Sequence, residues 1–403
     1  MRPCVLTRAL ALSISLTASL AGCGEGGQTD TNRVRGDTLT VYSSGPSHGV
    51  SADAAEAVFV GQRRALRQAG GRAGGRRIRL VRLAATRPGD ALWDPGTVKA
   101  NAERARDDPS AIAYLGELDY GGSAVSLPVT NRAGLLQVSP TDGLTSLTRA
   151  PPGRPRAGPE RYYPEDQRTF ARLVPTDLVV AEQMVSLLRA RQVERVAILH
   201  REGIADRELT AVLAQRLRRA GIEPAFAESL RDDVETVPEL IRKLAASRAE
   251  AVVYLGARGP ATAAALAGVA ARLPGVPVLG SAGLAGSAPA GPAPRELRAI
   301  TPVLPSRQQP ESGRRVLAAL RREHRVTVRP EALYGFASMR LVLQAIDRAG
   351  PDRRSVVRAA LARGVRQTVV GRLSVDGSGD VLTRRLALFR VRDGRVAFER
   401  LLP

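Results

Sequence analysis

Short apolar runs alternate with amphipathic segments of helical period along most of the chain, and this alternation restricts the possible folds more than any other feature. "LTVYSS" (39–44), "IRLVRLAA" (78–85), "AIAYLGE" (111–117) and "LLQVSP" (135–140) read as strands, with helices over 52–69, 96–107 and 122–133 between them. A second round follows. Helices over 178–190, 206–220, 237–247 and 261–272 lead in turn to "VAILH" (196–200), "PAFAES" (224–229), "AVVYLG" (251–256) and "VPVLGS" (276–281). Continuous apolar strands are buried on both faces, and joining them through helices makes parallel sheets covered on both sides. Two rounds therefore predict an α/β protein of two doubly wound, Rossmann-like lobes. Gly70 and Gly71 suit the end of the first helix, where a left-handed residue closes the last turn. The tail "LALFRVRDGRVAFERL" reads as a hairpin turning at Asp393–Gly394. The Pro- and Gly-rich stretches 150–167 and 285–296 read as surface loops.

A chain of 403 residues suits two domains, and 44% hydrophobic residues are enough for two cores. The formal charge of +21 invites a nucleic-acid partner, but the composition argues against one. Of the 60 basic residues only Lys99 and Lys243 are lysine, the arginines are dispersed, and aromatics are 3%, too few for base-stacking platforms. Catalytic patterns are absent too. His48, His200 and His324 fall in three distant segments, and there is no G-x-S-x-G, P-loop or G-x-G-x-x-G pattern. Asp232, Asp233 and Glu235 precede a helix and read as a charge preference for its N-terminus. An enzyme, a metal site and a cofactor are not expected.

The N-terminus carries more information. Arg2 and Arg8 precede the apolar "ALALSISLTASLAG", which is too short to span a membrane and stay there. It ends in "LAGC" (20–23), which resembles a bacterial lipobox. That resemblance implies a signal peptide over 1–22, cleavage before Cys23 and diacylglycerol on the Cys23 sulfur. An ordinary secretory signal with an incidental cysteine is the alternative. Cys4 would leave with the signal. Residues 23–37 then form a polar linker from the membrane to the first strand.

Several segments, in order, resemble a known family. "SSGP" (43–46) follows the first strand. "ALRQAGGRAGGRRIRLV" (65–81), "WDPGTVKANAERARDD" (93–108) and "YLGELDYGGSAVSLPVTNRAGLLQVSPT" (114–141) come next, then "YGFASMRLVLQAI" (334–346) and "TVVGRLSVDGSGD" (368–380). Together they are similar to the type I periplasmic binding proteins of the leucine/isoleucine/valine-binding family, the substrate-binding components of branched-chain amino acid ABC transporters. The similarity runs over about 38–403. It implies two lobes joined by three hinge crossings near 171–176, 298–304 and 369–374. Lobe one would be 38–172 plus 304–369, and lobe two 175–300 plus 373–403.

The resemblance also implies a site. In the family, the turn after the third strand holds a ligand carboxylate with a hydroxyl and helix-start N–H groups. Here that turn is Tyr120, Gly121, Gly122 and Ser123, and Thr141, Asp142 and Gly143 form the second anchor. Backbone N–H groups at a helix start favour an anion on physical grounds as well. The family serine is replaced by Tyr120, and Ser123 is expected to supply the hydroxyl. The family's lobe-two aromatics fall on Ala205, Arg258 and Gly259. Its ammonium-binding acid falls on Ala282, which leaves Asp142 as a substitute partner; Arg258 suggests a second anionic group on the ligand. The expected protein is a monomeric, extracytoplasmic, lipid-anchored receptor. It would deliver an amino acid or related carboxylate to an ABC permease. A ligand sensor or degenerate binder without transport, and an envelope structural or adhesion lipoprotein, are the alternatives.

Overall fold

The computed structural model describes residues 32–403 except 232, 286–290, 325–327 and 393–394. Cys4, Cys23 and the expected signal peptide lie outside the described residues. Residues Asn32–Pro403 form one compact unit.

The first half builds the alternation directly. Strand β1 (Thr38–Gly45) leads to α1 (Ala52–Gln68), the short β2 (Arg72–Ala73), β3 (Arg76–Ala84), α2 (Pro95–Asp107), β4 (Ala111–Leu115), α3 (Ser123–Arg132), β5 (Leu136–Ser139) and β6 (Phe170–Arg172). These strands form one sheet in the order β2-β3-β1-β4-β5-β6, parallel except for the β2–β3 pair. Local signals explain several ends. Asp94 caps α2 by accepting from the Thr97 N–H at 2.8 Å, with Pro95 at the first helical position. Gly70 and Gly71 close α1 at φ +66° and +70°, and the Gly71 N–H returns to the Leu66 carbonyl.

The chain then passes to a second sheet. It contains α4 (Asp177–Arg189), β7 (Arg195–His200), α5 (Ile204–Arg219), β8 (Glu223–Ser229), α6 (Val237–Ala246), β9 (Ala251–Leu255), α7 (Pro260–Arg272), β10 (Val278–Gly280), α8 (Ala282–Ala285) and β11 (Leu297–Thr301). Side-chain alternation along β7 and β9 serves both faces of this sheet. Val196, Ile198, Val253 and Leu255 pack with α4 and α5, while Ala197, Leu199, Val252 and Tyr254 pack with α6 and α7.

The chain returns through α9 (Glu311–His324), α10 (Glu331–Ala349), α11 (Arg353–Leu361) and a small hairpin, β12 (Val365–Thr368) and β13 (Gly371–Ser374). It ends in β14 (Leu386–Arg392) and β15 (Arg395–Leu402), which extend the second sheet antiparallel beside β11. This is the expected tail hairpin, although Asp393 and Gly394 at its turn lie outside the described residues. Helices α9, α10 and α11 bury their apolar faces in the core of the first sheet. Contact between α1 and α10 needs glycine: a Cβ on Gly61 would lie 1.9 Å from the Ala332 carbonyl oxygen, and one on Gly335 2.0 Å from that of Val58.

Two expectations need adjustment. Leu373, Val375 and Val381 belong to the first core and Leu386 to the second, so the third passage lies between Val381 and Leu386 rather than at 369–374. The stretch 150–167 is not simply a surface loop. It carries two short 3-10 turns, and its Tyr162 and Tyr163 are buried among Leu127, Leu144, Leu147 and Phe170. The polar and Pro/Gly-rich residues around the two tyrosines hid an apolar plug.

Candidate functional site

Strand β4 ends in a glycine turn whose backbone feeds α3. Its amides point where the sequence places an anion, and the structure shows what they hold. Asp142 Oδ1 accepts from the Gly121 N–H at 3.3 Å and from the Leu144 N–H at 3.1 Å, and Oδ2 accepts from the Ser123 N–H at 3.1 Å. The Asp142 side chain is fully buried. A carboxylate at the amino end of α3 is favoured by the unpaired N–H groups and the helix dipole. Burial pushes the Asp142 pKa up, while Arg172 and these N–H contacts pull it down.

The other expected residues divide into two groups. Tyr120, Gly121, Gly122, Ser123, Thr141, Asp142 and Gly143 come together. Ser123 lies beneath the turn, fully buried, with its hydroxyl accepting from the Glu117 N–H at 3.2 Å. The Thr141 hydroxyl donates to the Leu118 carbonyl at 2.5 Å. The Gly143 carbonyl accepts from the Asp177 N–H at 2.8 Å, which joins this loop to the start of α4. Arg258 and Ala282 lie just beyond the carboxyl ends of β9 and β10 in the second sheet. Burial lowers the Arg258 pKa, and the nearby Arg329 charge adds to the effect.

The second lobe meets the turn directly. A Cβ on Gly121 would lie 3.3 Å from the Ala205 Cβ and 3.9 Å from the Trp93 ring. Ala205 belongs to α5, whose Glu208 accepts from the Ser146 N–H at 2.9 Å. The carboxyl ends of β4 and β7 thus face one another, the arrangement in which open α/β sheets place ligands.

Sequence reasoning missed three acidic residues here. Asp177, at the first position of α4, is 1% exposed, and neither of its carboxylate oxygens has a hydrogen-bond partner. The Tyr120 hydroxyl stands beside it without meeting hydrogen-bond geometry: a Cβ on Gly143 would lie 2.8 Å from Asp177 Oδ1 and 3.3 Å from the Tyr120 hydroxyl. Burial, then the charges of Asp142 and Glu208, push the Asp177 pKa well up. Glu208 is raised by burial as well. The third is Glu117, whose carboxyl accepts from the Ser44 hydroxyl at 2.7 Å and the Tyr114 hydroxyl at 2.6 Å. Burial pushes its pKa up to about 7 despite those donors. Among the described residues the buried counter-charge beside Asp142 and Asp177 is Arg172, which is itself ion-paired to Asp380 at 3.0 Å.

Comparison with known proteins agrees with this architecture. A family model described as periplasmic binding protein matches residues 40–395. A protein of Pseudomonas aeruginosa described as an amino acid binding protein is 25% identical over 224 residues, 55% of this chain and 54% of that protein. The chain thus spans about half the length of that curated relative. Among solved structures, a leucine binding protein from Thermotoga maritima superimposes with a TM-score of 0.75 at 17% identity, covering 90% of this chain and 98% of that one. A solute binding protein of an ABC transporter from R. palustris, in complex with benzoate, gives a TM-score of 0.71 at 16% identity, with 90% and 96% covered. An ABC transporter substrate-binding protein from Desulfitobacterium hafniense in complex with Leu gives 0.69 at 19%, with 90% and 100% covered.

Proposed function

Since the chain belongs to the periplasmic binding protein family, we propose that it is an extracytoplasmic receptor that closes its two lobes on a small polar solute and presents it to an ABC-type importer. The observation that carries this reading is the meeting of the two sheets' carboxyl ends at Gly121 and Ala205, with buried, under-paired polar groups beside that contact. Tyr120 to Ser123 and Thr141 to Gly143 form the first-lobe wall of the site in this reading, and Arg258 and Ala282 belong to the second-lobe wall. Hinge closure needs a solute that contacts both lobes better in the closed state than in the open one. The proteins of known structure that it resembles were solved with Leu and benzoate, which makes both natural first probes.

A thermal-shift panel of amino acids, aromatic acids and amines on the purified chain tests the reading. At 100 times its dissociation constant a solute should stabilise the fold by about 2.7 kcal/mol. A panel without any shift would move the assignment to a family member that has kept the fold and lost the solute. The filling of the α3 amides by Asp142 is what favours that second reading.

Membrane attachment through Cys23 belongs to the same proposal and rests on the "LAGC" pattern. Among the described residues no helix is long and apolar enough to cross a membrane. Cells given labelled palmitate should incorporate it into the wild-type chain and not into Cys23→Ala. Equal labelling of the two would remove the anchor from the proposal.

A further inference from the structure

Resting on the solute-receptor reading, we infer that Asp142 is a built-in carboxylate that closes the α3 anion site to solutes, and that the solute selected here is an organic cation received by Asp177 and Glu208. The first half follows from hydrogen-bond supply. The N–H groups of Gly121, Ser123 and Leu144 converge on one carboxylate, and the chain provides that carboxylate itself. A solute's carboxylate would have to displace a fully buried, triply bonded Asp142 to reach them. The α3 site therefore selects against acids.

The second half follows from charge. Asp142, Asp177 and Glu208 are all buried where the first-lobe loop meets α4 and α5. Arg161 lies beside Glu208 and donates to the Ser146 hydroxyl at 3.2 Å. The cation beside Asp142 and Asp177 is Arg172, and its guanidinium is already committed. It pairs with Asp380 and donates to the Asp142 and Leu144 carbonyls at 3.0 Å each and to the Thr148 hydroxyl at 3.0 Å. Burying three carboxyl groups against two guanidiniums that are already engaged is unfavourable unless protons or a further cation offset it. Asp177 is the group left over, nine-tenths or more buried and without a hydrogen bond at either oxygen. No group of three acidic, histidine or cysteine side chains suited to a metal ion occurs among the described residues. An amine or guanidinium, which reaches separated carboxylates through its several N–H donors, fits where a bare ion does not. The hydroxyl of Tyr120, half-buried at the same point, is a further polar group for it to meet.

The test uses the purified full chain, with 1,4-diaminobutane, agmatine and choline as cation probes and leucine, benzoate and acetate as carboxylate probes. Calorimetric titration should show at least one amine binding the wild type and no carboxylate doing so. Asp177→Asn, nearly isosteric, should weaken that amine at least tenfold. Asp142→Ala frees three N–H groups and should newly bind acetate or benzoate. Amine affinity should rise with pH, because a protonated Asp177 must release its proton to solvent before it pairs with the cation. Tyr120, Asp142, Arg172, Asp206 and Glu208 all face this group. A carboxylate that binds the wild type while the amines do not would overturn the inference and leave the receptor reading standing. Unchanged amine affinity in Asp177→Asn would overturn it as well, and that variant decides alone if Asp142→Ala fails to fold. If neither class binds the wild type or Asp142→Ala, the receptor reading falls and takes this inference with it.

Discussion

Replacing Arg172 by alanine is expected to lower the unfolding free energy by about 3–5 kcal/mol, the usual loss when one partner of a buried ion pair is removed. The residue closes β6 with a fully buried side chain. Its guanidinium pairs with Asp380 at 3.0 Å, holds the carbonyls of Asp142 and Leu144, and lies over the Phe170 ring at 5.3 Å. Without it, Asp380 keeps Arg149 as its charged partner among the described residues, and two buried carbonyls and the Thr148 hydroxyl lose a donor. The loop that carries Asp142 onto α3 would lose its tie to the strand beneath. Urea unfolding reads the effect as a fall in midpoint at constant slope. Arg172→Met separates the two contributions, since it restores apolar volume without the charge. A loss below about 1 kcal/mol in Arg172→Ala would mean that desolvating the guanidinium offsets nearly all of its bonds.

None of this could be read from Arg172 in the sequence. In a chain where all but two basic residues are arginine, one buried arginine looks like any solvated one. The two sheets, by contrast, were legible, because a strand covered on both faces must be apolar throughout and the helix between two parallel strands must be amphipathic. The Asp94 cap and Pro95 at the first helical position fix the start of α2 for equally local reasons. The site was legible only in outline. The turn at 120–123 and the loop at 141–143 do come together, but spacing could not tell that Asp142 would serve the chain's own amides rather than a solute. Asp177 and Glu208 carried no pattern at all, since an acid in the first turns of a helix is ordinary. Only tertiary packing places them against Asp142. The same holds for Gly61 and Gly335, which are unremarkable until α1 and α10 are laid together.

The buried acids also set the pH response of the empty protein, which should be more stable near pH 5 than near pH 7.5. Burial is the main cause of each shift. Glu117 is raised from 4.5 to about 7, and Asp119 and Asp206 from 3.8 to about 6; Asp142, Asp177 and Glu208 move the same way. A carboxyl whose pKa is higher folded than unfolded binds its proton more tightly in the native state. Its contribution is present in full below the unfolded value and disappears as pH rises through the folded one. For Glu117 that window runs from about pH 4.5 to 7. At 1.36 kcal/mol per pKa unit the single group contributes about 3 kcal/mol. Opposing groups act lower. Asp94, held down by its Thr97 cap, and Asp107, held down by Arg106, lose their contribution only below their ordinary range near 3.8. Urea midpoints across pH 4.5–7.5 should therefore fall steadily, and Glu117→Gln, which has no proton to lose, should flatten the upper part of that fall. A midpoint that held level or rose would show Glu117 ionised in place, with the Ser44 and Tyr114 hydroxyls outweighing its burial. A solute cation beside Asp177 should lift the alkaline end of that curve more than the acid end and so flatten the fall, because it stabilises the ionised carboxylate that the fold alone penalises.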